Sequence, residues 1–248
     1  YPTMSLAKDL MLLDYARRYQ PDLVVWLFTL ESFDRDEQLD SVIVQNNADR
    51  VQRLIKTYRL NLDASDPRFV KSSFQGKTIV GQRRDLADLI RLQYYGVPWA
   101  VTGIDQEYRA NYTPRAIDLP ADATWHGITQ DTFTPDDLAF DVLGAGLQIV
   151  GKTPVLFINE PIFISSGQNS DMRYNAFFPR WAFDAYRRLL AEQAAHSKWS
   201  LLDLWDILPG ADCYTDSAVH LTPECSAQLG KRVGAAIVQM ADAGEVLP

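Results

Sequence analysis

Three short stretches of the chain consist almost entirely of apolar residues and predict strands. They cover residues 23–28, 154–158 and 199–205. A continuous apolar run, rather than an alternation of apolar and polar residues, is typical of a strand covered on both faces, as in a parallel sheet. We therefore expect the strands that end at Thr29 and Ile158 to be parallel neighbours.

Segments with apolar residues at helical spacing flank these runs. Leu6, Leu10 and Leu13 predict a first helix that Ser5 can cap, and a second helix is predicted over residues 180–196. A last helix should begin at Thr222, because this hydroxyl residue is followed by a proline and an acid, which favour a helix start. Helices alternating with parallel strands place the chain in the α/β class.

The stretch between the first two strands, residues 35–149, is longer than a connection within a compact domain requires. Apolar spacing predicts helices near residues 51–58 and 86–93, and glycines and prolines from Gly96 and Pro98 onwards should break the rest of the stretch into loops. We interpret the stretch as a mainly helical insertion that folds as a lid over the strand ends. The α/β core would then comprise residues 1–34 and 150–248.

The charge balance excludes one class of partner. A formal net charge of -8 and a pI near 4.9 argue against nucleic acid, because phosphate binding needs clustered Lys and Arg. No run of apolar residues is long enough for a transmembrane helix, and the first residues do not have the pattern of a signal peptide. The localisation of the protein therefore stays unknown at this point.

The cysteines and histidines give no metal-site pattern, and we expect neither a metal nor a cofactor. Cys213 and Cys225 are expected to be free, partly buried thiols, with a disulfide between them as the alternative. His126 and His196 are expected to be structural or solvated.

A loop just before the last helix contains the strongest candidates for chemistry. Asp216 and His220 lie there, and an Asp can fix the tautomer of a His and stabilise its cation during general-base catalysis. The alternative is that both are ordinary loop residues near a helix start.

A second group of polar residues follows the second strand. Asn159 and Glu160 end that strand, where a parallel sheet forms its ligand crevice, and Arg173 follows in a polar loop and could bind an anionic or hydroxylated ligand. Ser165 and nearby serines could line the same pocket. The alternative is a polar turn, with Arg173 in a structural role.

Two parts of the chain resemble the SGNH/GDSL hydrolases. The ending DSAVHLTPE before an amphipathic helix resembles that family's last block, and the opening YPTMSLAKDLMLLDYARRYQPDLVVWLFTLESF is similar to its stretch from the second block to the third. The segment YRRLLAEQAAHSKWSLLDLWDIL fits the helix and strand before the His block. The resemblance covers about half of the chain and is strongest to bacterial cell-envelope proteins. It implies a three-layer α/β/α fold with a mainly parallel sheet, as in flavodoxin-like proteins, and an extracytoplasmic or cell-envelope location.

The chain departs from the family at three points. Glu31 stands where the family has an oxyanion-binding Asn, and a carboxylate there opposes oxyanion stabilisation. The spacing from Asp216 to His220 is one residue longer than in the family. The Gly-Asp-Ser block with the nucleophile precedes the matched opening, so we expect it to be missing from this chain, which leaves a sheet edge for an N-terminal segment or a second copy to cover.

The resemblance implies a hydrolase or acyltransferase acting on an ester of a carbohydrate or cell-envelope molecule. His220 would be the general base, Asp216 its orienting acid, and Glu31, Asn159, Glu160 and Arg173 would bind substrate. The alternative is a noncatalytic module that binds a carbohydrate or a partner on the same fold. Both hypotheses expect Glu31, Asn159 and His220 at one edge of the sheet.

Overall fold

The computed structural model of the chain describes residues 4–71, 78–102, 114–208 and 210–244. These residues form a mixed α/β structure. Its helices within the described ranges are α1 (Leu6–Ala16), α2 (Val42–Asn46), α3 (Ala48–Tyr58), α4 (Arg83–Thr102), α5 (Phe140–Val150), α6 (Arg180–Ser197) and α7 (Pro223–Asp242). Short 3₁₀ turns connect several of them.

The described strands form one small sheet. Strands β1 (Val24–Phe28), β2 (Val155–Asn159) and β3 (Ser200–Asp203) are parallel and lie in the order β1-β2-β3. The prediction that the first two strands are parallel neighbours is confirmed. Phe28 is in register with Asn159, and Asn159 with Asp203, so the carboxyl ends of all three strands meet at one edge.

The side chains of the central strand explain why its apolar run is continuous. Phe157 packs in the main core with Trp26 of β1, whereas Leu156 and Ile158 belong to a second cluster with Met240 of α7. Every residue of β2 is buried. A strand covered on both faces has no position for a polar side chain except at its end, where Asn159 lies.

The helix starts follow the capping pattern of the sequence. The Ser5 hydroxyl accepts a hydrogen bond from the Lys8 amide at 3.2 Å, and the Thr222 hydroxyl accepts one from the Cys225 amide. Each bond satisfies an amide that the first helical turn leaves without a partner. Thr222 therefore fixes the point at which the loop with His220 passes into α7.

The stretch of residues 35–149 contains helices α2, α3 and α4 and most of α5, and several of its side chains share the main core. Leu39, Val51 and Val142 are in the same buried cluster as Phe28 and Phe157. Helix α5, at the end of the stretch, packs on α1, and a Cβ at Gly146 would lie 2.3 Å from the Trp26 ring. Because α5 approaches β1 this closely, glycine is required there. The domain boundaries at residues 35 and 149 stay a prediction.

One sequence prediction about this stretch was wrong. Gly96 and Pro98 do not break a helix, because α4 continues through both of them to Thr102. A proline inside a helix removes one backbone hydrogen bond and costs about 3 kcal/mol relative to alanine. The good helix formers around it, such as Leu86, Leu92 and Ala100, favour continuation.

Strand β1 lies at an edge of the described sheet. Val25 and Leu27 are 37% and 43% exposed, and Leu12 of α1 is 47% exposed beside them. An edge strand with exposed apolar side chains offers a pairing surface. The covering of this edge by an N-terminal segment or a second copy stays a prediction.

Among the helices in the described ranges, none combines the length and the hydropathy that a bilayer span requires.

Candidate functional site

A cavity of about 620 Å³ opens at the carboxyl edge of the sheet. Its walls come from the turn after β1, the loop before α6 and the loop before α7. The lining residues are Met4, Thr29, Glu31, Glu37, Asp40, Phe177, Phe178, Ser217, Val219 and His220. The predicted convergence of Glu31 and His220 is therefore observed in one cavity.

A second and larger cavity, of about 720 Å³, lies at the amino ends of the strands, next to Val155 and Ser200. Among the described residues, its lining contains a single charged side chain, that of Lys198. Acid–base chemistry needs convergent titratable groups, which the smaller cavity has. We therefore take the cavity at the carboxyl edge as the candidate site.

Asp216 and His220 form a hydrogen-bonded pair on the wall before α7. The Nδ1 atom of His220 lies 2.9 Å from Asp216 Oδ1, so the longer spacing in the sequence does not prevent the pairing. The Thr215 hydroxyl donates a second hydrogen bond to the same oxygen, at 3.0 Å. Both hydrogen bonds lower the pKa of Asp216, and the bond from His220 has the larger effect. The acid is thus held as a carboxylate that can orient the imidazole.

The loop that presents this pair is closed at its base. A disulfide joins Cys213 to Cys225, so the expectation of free thiols was wrong and its alternative is confirmed. The two cysteines are brought together because Thr222, at the start of α7, hydrogen-bonds through its amide to the Cys213 carbonyl at 2.8 Å. Within the loop, the Thr215 amide donates to the His220 carbonyl at 2.9 Å. These bonds fix the backbone on both sides of Asp216.

Arg115 holds the same loop from outside. Its Nη1 donates to the Tyr214 carbonyl at 2.7 Å, and its guanidinium lies 4.3 Å from the centre of the Phe163 ring. Phe163 in turn donates its amide to the Ala218 carbonyl at 2.7 Å. The position of His220 is therefore set by contacts from well outside the local sequence.

The opposite wall contains a cluster that the sequence analysis missed. Nε2 of His126 lies 3.1 Å from Glu31 Oε1, and its Nδ1 lies 3.3 Å from Glu37 and 3.5 Å from Asp34. The hydrogen bond to Glu31, with the charges of all three acids, raises the pKa of His126 to about 9. The expectation that His126 is merely structural or solvated omitted this contact.

A signal for the cluster is nevertheless present in the sequence. Glu31, Asp34 and Glu37 recur every three residues after β1, although the 3₁₀ helix Leu30–Phe33 contains only the first of them. The short spacing keeps all three carboxylates in the turns that follow β1. The position of His126 beside them is a long-range contact without a local pattern.

Asn159 ends β2 at the same edge, but its side chain is used inside the protein. Its Nδ2 donates to Asp203 Oδ1 at 2.8 Å, and its Oδ1 accepts a hydrogen bond from the Tyr186 hydroxyl at 3.0 Å. Asn159 is fully buried and, among the described residues, is not part of the cavity lining. It links β2, β3 and α6, and so supports the edge on which the site is built.

Glu160 is the most strongly perturbed acid near the pair. Burial raises its pKa to about 7, and the charge of nearby His220 partly offsets this effect. Its amide donates to the Phe28 carbonyl at 3.0 Å, which fixes it between β1 and β2. Burial also raises the pKa of Tyr214, and the negative charge of Glu160 adds to this effect. Glu160 does not line the cavity in the described residues, but it lies within electrostatic reach of His220.

Arg173 is placed apart from this cavity. Arg173 is 4% exposed, and its guanidinium donates hydrogen bonds to the backbone carbonyls of Asp122, Asn175 and Ala176. Burial lowers the pKa of Arg173. These bonds match the structural alternative given for Arg173. The Ser165 hydroxyl similarly donates to the Ile117 carbonyl.

Comparisons with known proteins do not add a relative. No family model matches the chain, and no curated protein and no solved structure matches it.

Proposed function

We propose that the chain is an SGNH-type hydrolase or acyltransferase-like domain that acts on an ester of a carbohydrate or cell-envelope molecule. The observation that carries the proposal is the 2.9 Å pair of His220 and Asp216 beside a cavity of about 620 Å³. A His with its Nδ1 held by a carboxylate can accept a proton at Nε2. The loop before a helix, on which both residues lie, is a common position for catalytic groups.

The proposed roles follow from these contacts. His220 Nε2 accepts the proton of a serine hydroxyl as that hydroxyl attacks the ester carbonyl, and later returns the proton to the leaving alcohol. Asp216 accepts the Nδ1 hydrogen bond and stabilises the imidazolium. In the family that the chain resembles, the serine belongs to the Gly-Asp-Ser block, which precedes the stretch matched by the opening.

The family's three-layer α/β/α arrangement is part of the proposal. The packing of Phe157 and Ile158 into different clusters supports it, since these neighbours in β2 face opposite sides of the sheet. The exposed edge of β1 supports a further strand beside it, where Val25 and Leu27 would be covered. The small parallel sheet alone does not distinguish this family from others in the α/β class.

A noncatalytic carbohydrate- or partner-binding module is the second candidate. The observation that favours it is Glu31, which stands at the position matched to the oxyanion-binding Asn and is paired with His126 at 3.1 Å. A carboxylate accepts hydrogen bonds and cannot donate them to an oxyanion. In a binding module the same carboxylate would accept hydrogen bonds from sugar hydroxyls.

A fluorophosphonate probe separates the two candidates. The probe is applied to the 248-residue chain and to the natural protein, including any residues that precede Tyr1, and labelled serines are mapped by mass spectrometry. We expect labelling of one serine in the natural protein, and His220→Ala should slow it by roughly 10²–10⁴-fold, the usual contribution of a general base.

His196→Ala is the matched control, since it removes a histidine at the far end of α6. Its labelling rate should equal that of the wild type. Absence of labelling in a natural protein that is folded by circular dichroism would refute the serine mechanism and favour the binding module. Labelling of a serine within residues 1–248 would instead refute the alignment of the opening.

A further inference from the structure

Glu31, Glu37 and His126 form a group of potential metal ligands on the wall opposite His220. One ligand atom from each residue lies within 4.8 Å of the others. The side chains of Glu31, Glu37 and His126 are 21%, 35% and 31% exposed, and Glu31 and Glu37 line the cavity, so an ion from solution can reach the group. The group is built from two distant parts of the chain, the turn after β1 and the turn at residues 125–128.

A second observation points to the same place. Asp34 is 3% exposed, and its Oδ2 is buried without a hydrogen-bond partner among the described residues. That oxygen faces Nδ1 of His126 at 3.5 Å, while Asp34 Oδ1 accepts a hydrogen bond from the Asp36 amide at 2.9 Å. Metal-binding histidines usually donate their second ring N–H to a carboxylate, which fixes the tautomer and aims the other nitrogen at the ion. Asp34 is placed to do this.

The charges of the cluster are not balanced. Glu31, Asp34 and Glu37 surround a single imidazole, and Asp40 adds a further negative charge next to Glu37. Even with a protonated His126, the three surrounding carboxylates leave two negative charges in excess. Asp40 is partly neutralised, because its carboxylate pairs with Arg68. A divalent cation on Nε2 would replace the proton of His126 and reduce the excess from two negative charges to one where the carboxylates meet.

We infer that Glu31, Glu37 and Nε2 of His126 bind one divalent transition-metal ion, and that Asp34 orients the His126 ring through Nδ1. One imidazole with two carboxylates suits Zn²⁺ or Mn²⁺, which accept mixed nitrogen and oxygen ligands. The open side of the ion would face the cavity and leave positions for water or a ligand. Glu31 already lies 3.1 Å from Nε2, whereas Glu37 lies 3.3 Å from Nδ1 and would have to leave that nitrogen to reach the ion, which its partial exposure allows.

The inference does not depend on ester chemistry, but it bears on the function proposed above. An ion at Glu31 would place a local positive charge on the wall where the family has an oxyanion donor, although the cluster as a whole would stay weakly negative. Glu31 would then serve as a metal ligand at the position where the family has an oxyanion-binding Asn. The same ion would serve a binding module by ligating hydroxyl or carboxylate groups of a ligand.

The test measures binding of the metal alone to the chain after removal of bound ions with a chelator. Zn²⁺ and Mn²⁺ are titrated separately by isothermal calorimetry, and the stoichiometry is checked by elemental analysis after dialysis. We expect about one ion per chain and an affinity at least tenfold lower in His126→Ala and Glu37→Gln. Asp34→Asn should lower it by about 10–100-fold, the range seen for outer partners of metal ligands.

The controls remove other histidines. His196→Ala and His220→Ala should bind the ion as the wild type does. The reverse result, with binding lost in His220→Ala and kept in His126→Ala, would overturn the assignment, as would the absence of binding to the wild type. If His126→Ala fails to fold by circular dichroism, Glu37→Gln decides, because it keeps the pair between Glu31 and His126.

Discussion

Replacing Glu160 by Gln should make the free energy of unfolding less dependent on pH. Glutamine has nearly the same shape as glutamate but cannot ionise, so the change removes the charge and keeps the packing. Glu160 follows β2 at the buried edge of the sheet, and its carboxyl group has a pKa of about 7 because burial disfavours the charged form. The substitution therefore isolates the cost of that charge.

The magnitude follows from the two pKa values. The carboxyl has an ordinary pKa of 4.5 and a pKa of about 7 in the folded protein. At about 1.4 kcal/mol for each tenfold change in the ionisation constant, ionising Glu160 costs about 3 kcal/mol more in the folded state than in the unfolded chain. This is an upper limit, since Glu160 keeps some contact with solvent.

The direction follows from the raised pKa. Below pH 4.5 the carboxyl is protonated in both states, and its contribution to stability is fully present. As the pH rises to about 7, the unfolded chain ionises first, and that contribution is lost. Glu160→Gln should thus be close to the wild type in stability near pH 4.5 and more stable by up to about 3 kcal/mol above pH 8.

Urea unfolding followed by tryptophan fluorescence, repeated between pH 4.5 and 8.5, gives the difference between the two proteins. Glu192→Gln, an exposed acid on α6, is the matched control and should show a difference near zero at every pH. The charge of His220 lowers the pKa of Glu160. His220→Ala should therefore raise that pKa and lower the free energy of unfolding at neutral pH. A difference between Glu160→Gln and the wild type that does not change with pH would refute the burial argument.

Two further predictions concern the disulfide below the site and the buried Arg173. Replacing Cys213 and Cys225 together by alanine should lower the free energy of unfolding by about 3 kcal/mol, the value for a loop of this order, because the unfolded chain gains freedom; an unchanged urea midpoint would contradict it. Arg173→Met should lower the free energy of unfolding by about 3 kcal/mol or more, because buried carbonyls lose their donors, as measured by urea unfolding at pH 7. If Arg173 bound substrate instead, the variant would lose affinity while its unfolding midpoint stayed that of the wild type.

The strands were predictable because burial decides their composition. In β2 every position is buried, so the run of apolar residues has no interruption before Asn159. The same kind of run in β1 has a different outcome, since Val25 and Leu27 are exposed at the edge. An apolar run identifies a strand, but the faces that are covered depend on which elements lie next to it.

The pair of Asp216 and His220 was predictable for a similar local reason. Both lie on one loop, four positions apart, and the helix start at Thr222 is marked by its capping hydroxyl and proline. The disulfide was only an alternative in the sequence, because the separation of Cys213 and Cys225 does not reveal that the loop closes at its base. The closure depends on the fold of the whole loop.

The contacts of His126 could not be derived in this way. Glu31 and His126 are 95 positions apart, and neither the apolar pattern nor the caps relate their segments. Arg173 illustrates the same difficulty, since its carbonyl partners include Asp122 in a loop far from it in sequence. Polar contacts between irregular segments follow from the packing of the fold, and they decide whether a polar residue is structural or available to a ligand.

The charge state of Glu31 links the two walls of the cavity. As an isolated carboxylate it would repel any anion that develops next to His220, and this repulsion was the argument against catalysis. Paired with a His126 whose pKa is about 9, it carries little net charge at neutral pH, so the repulsion is smaller than the sequence implies. Asp34 and Glu37 also lie against His126, however, and one imidazolium cannot neutralise three carboxylates. The divalent ion that we propose would replace the proton of His126, reduce the net negative charge of the cluster from two to one, and require both glutamates to move onto the ion.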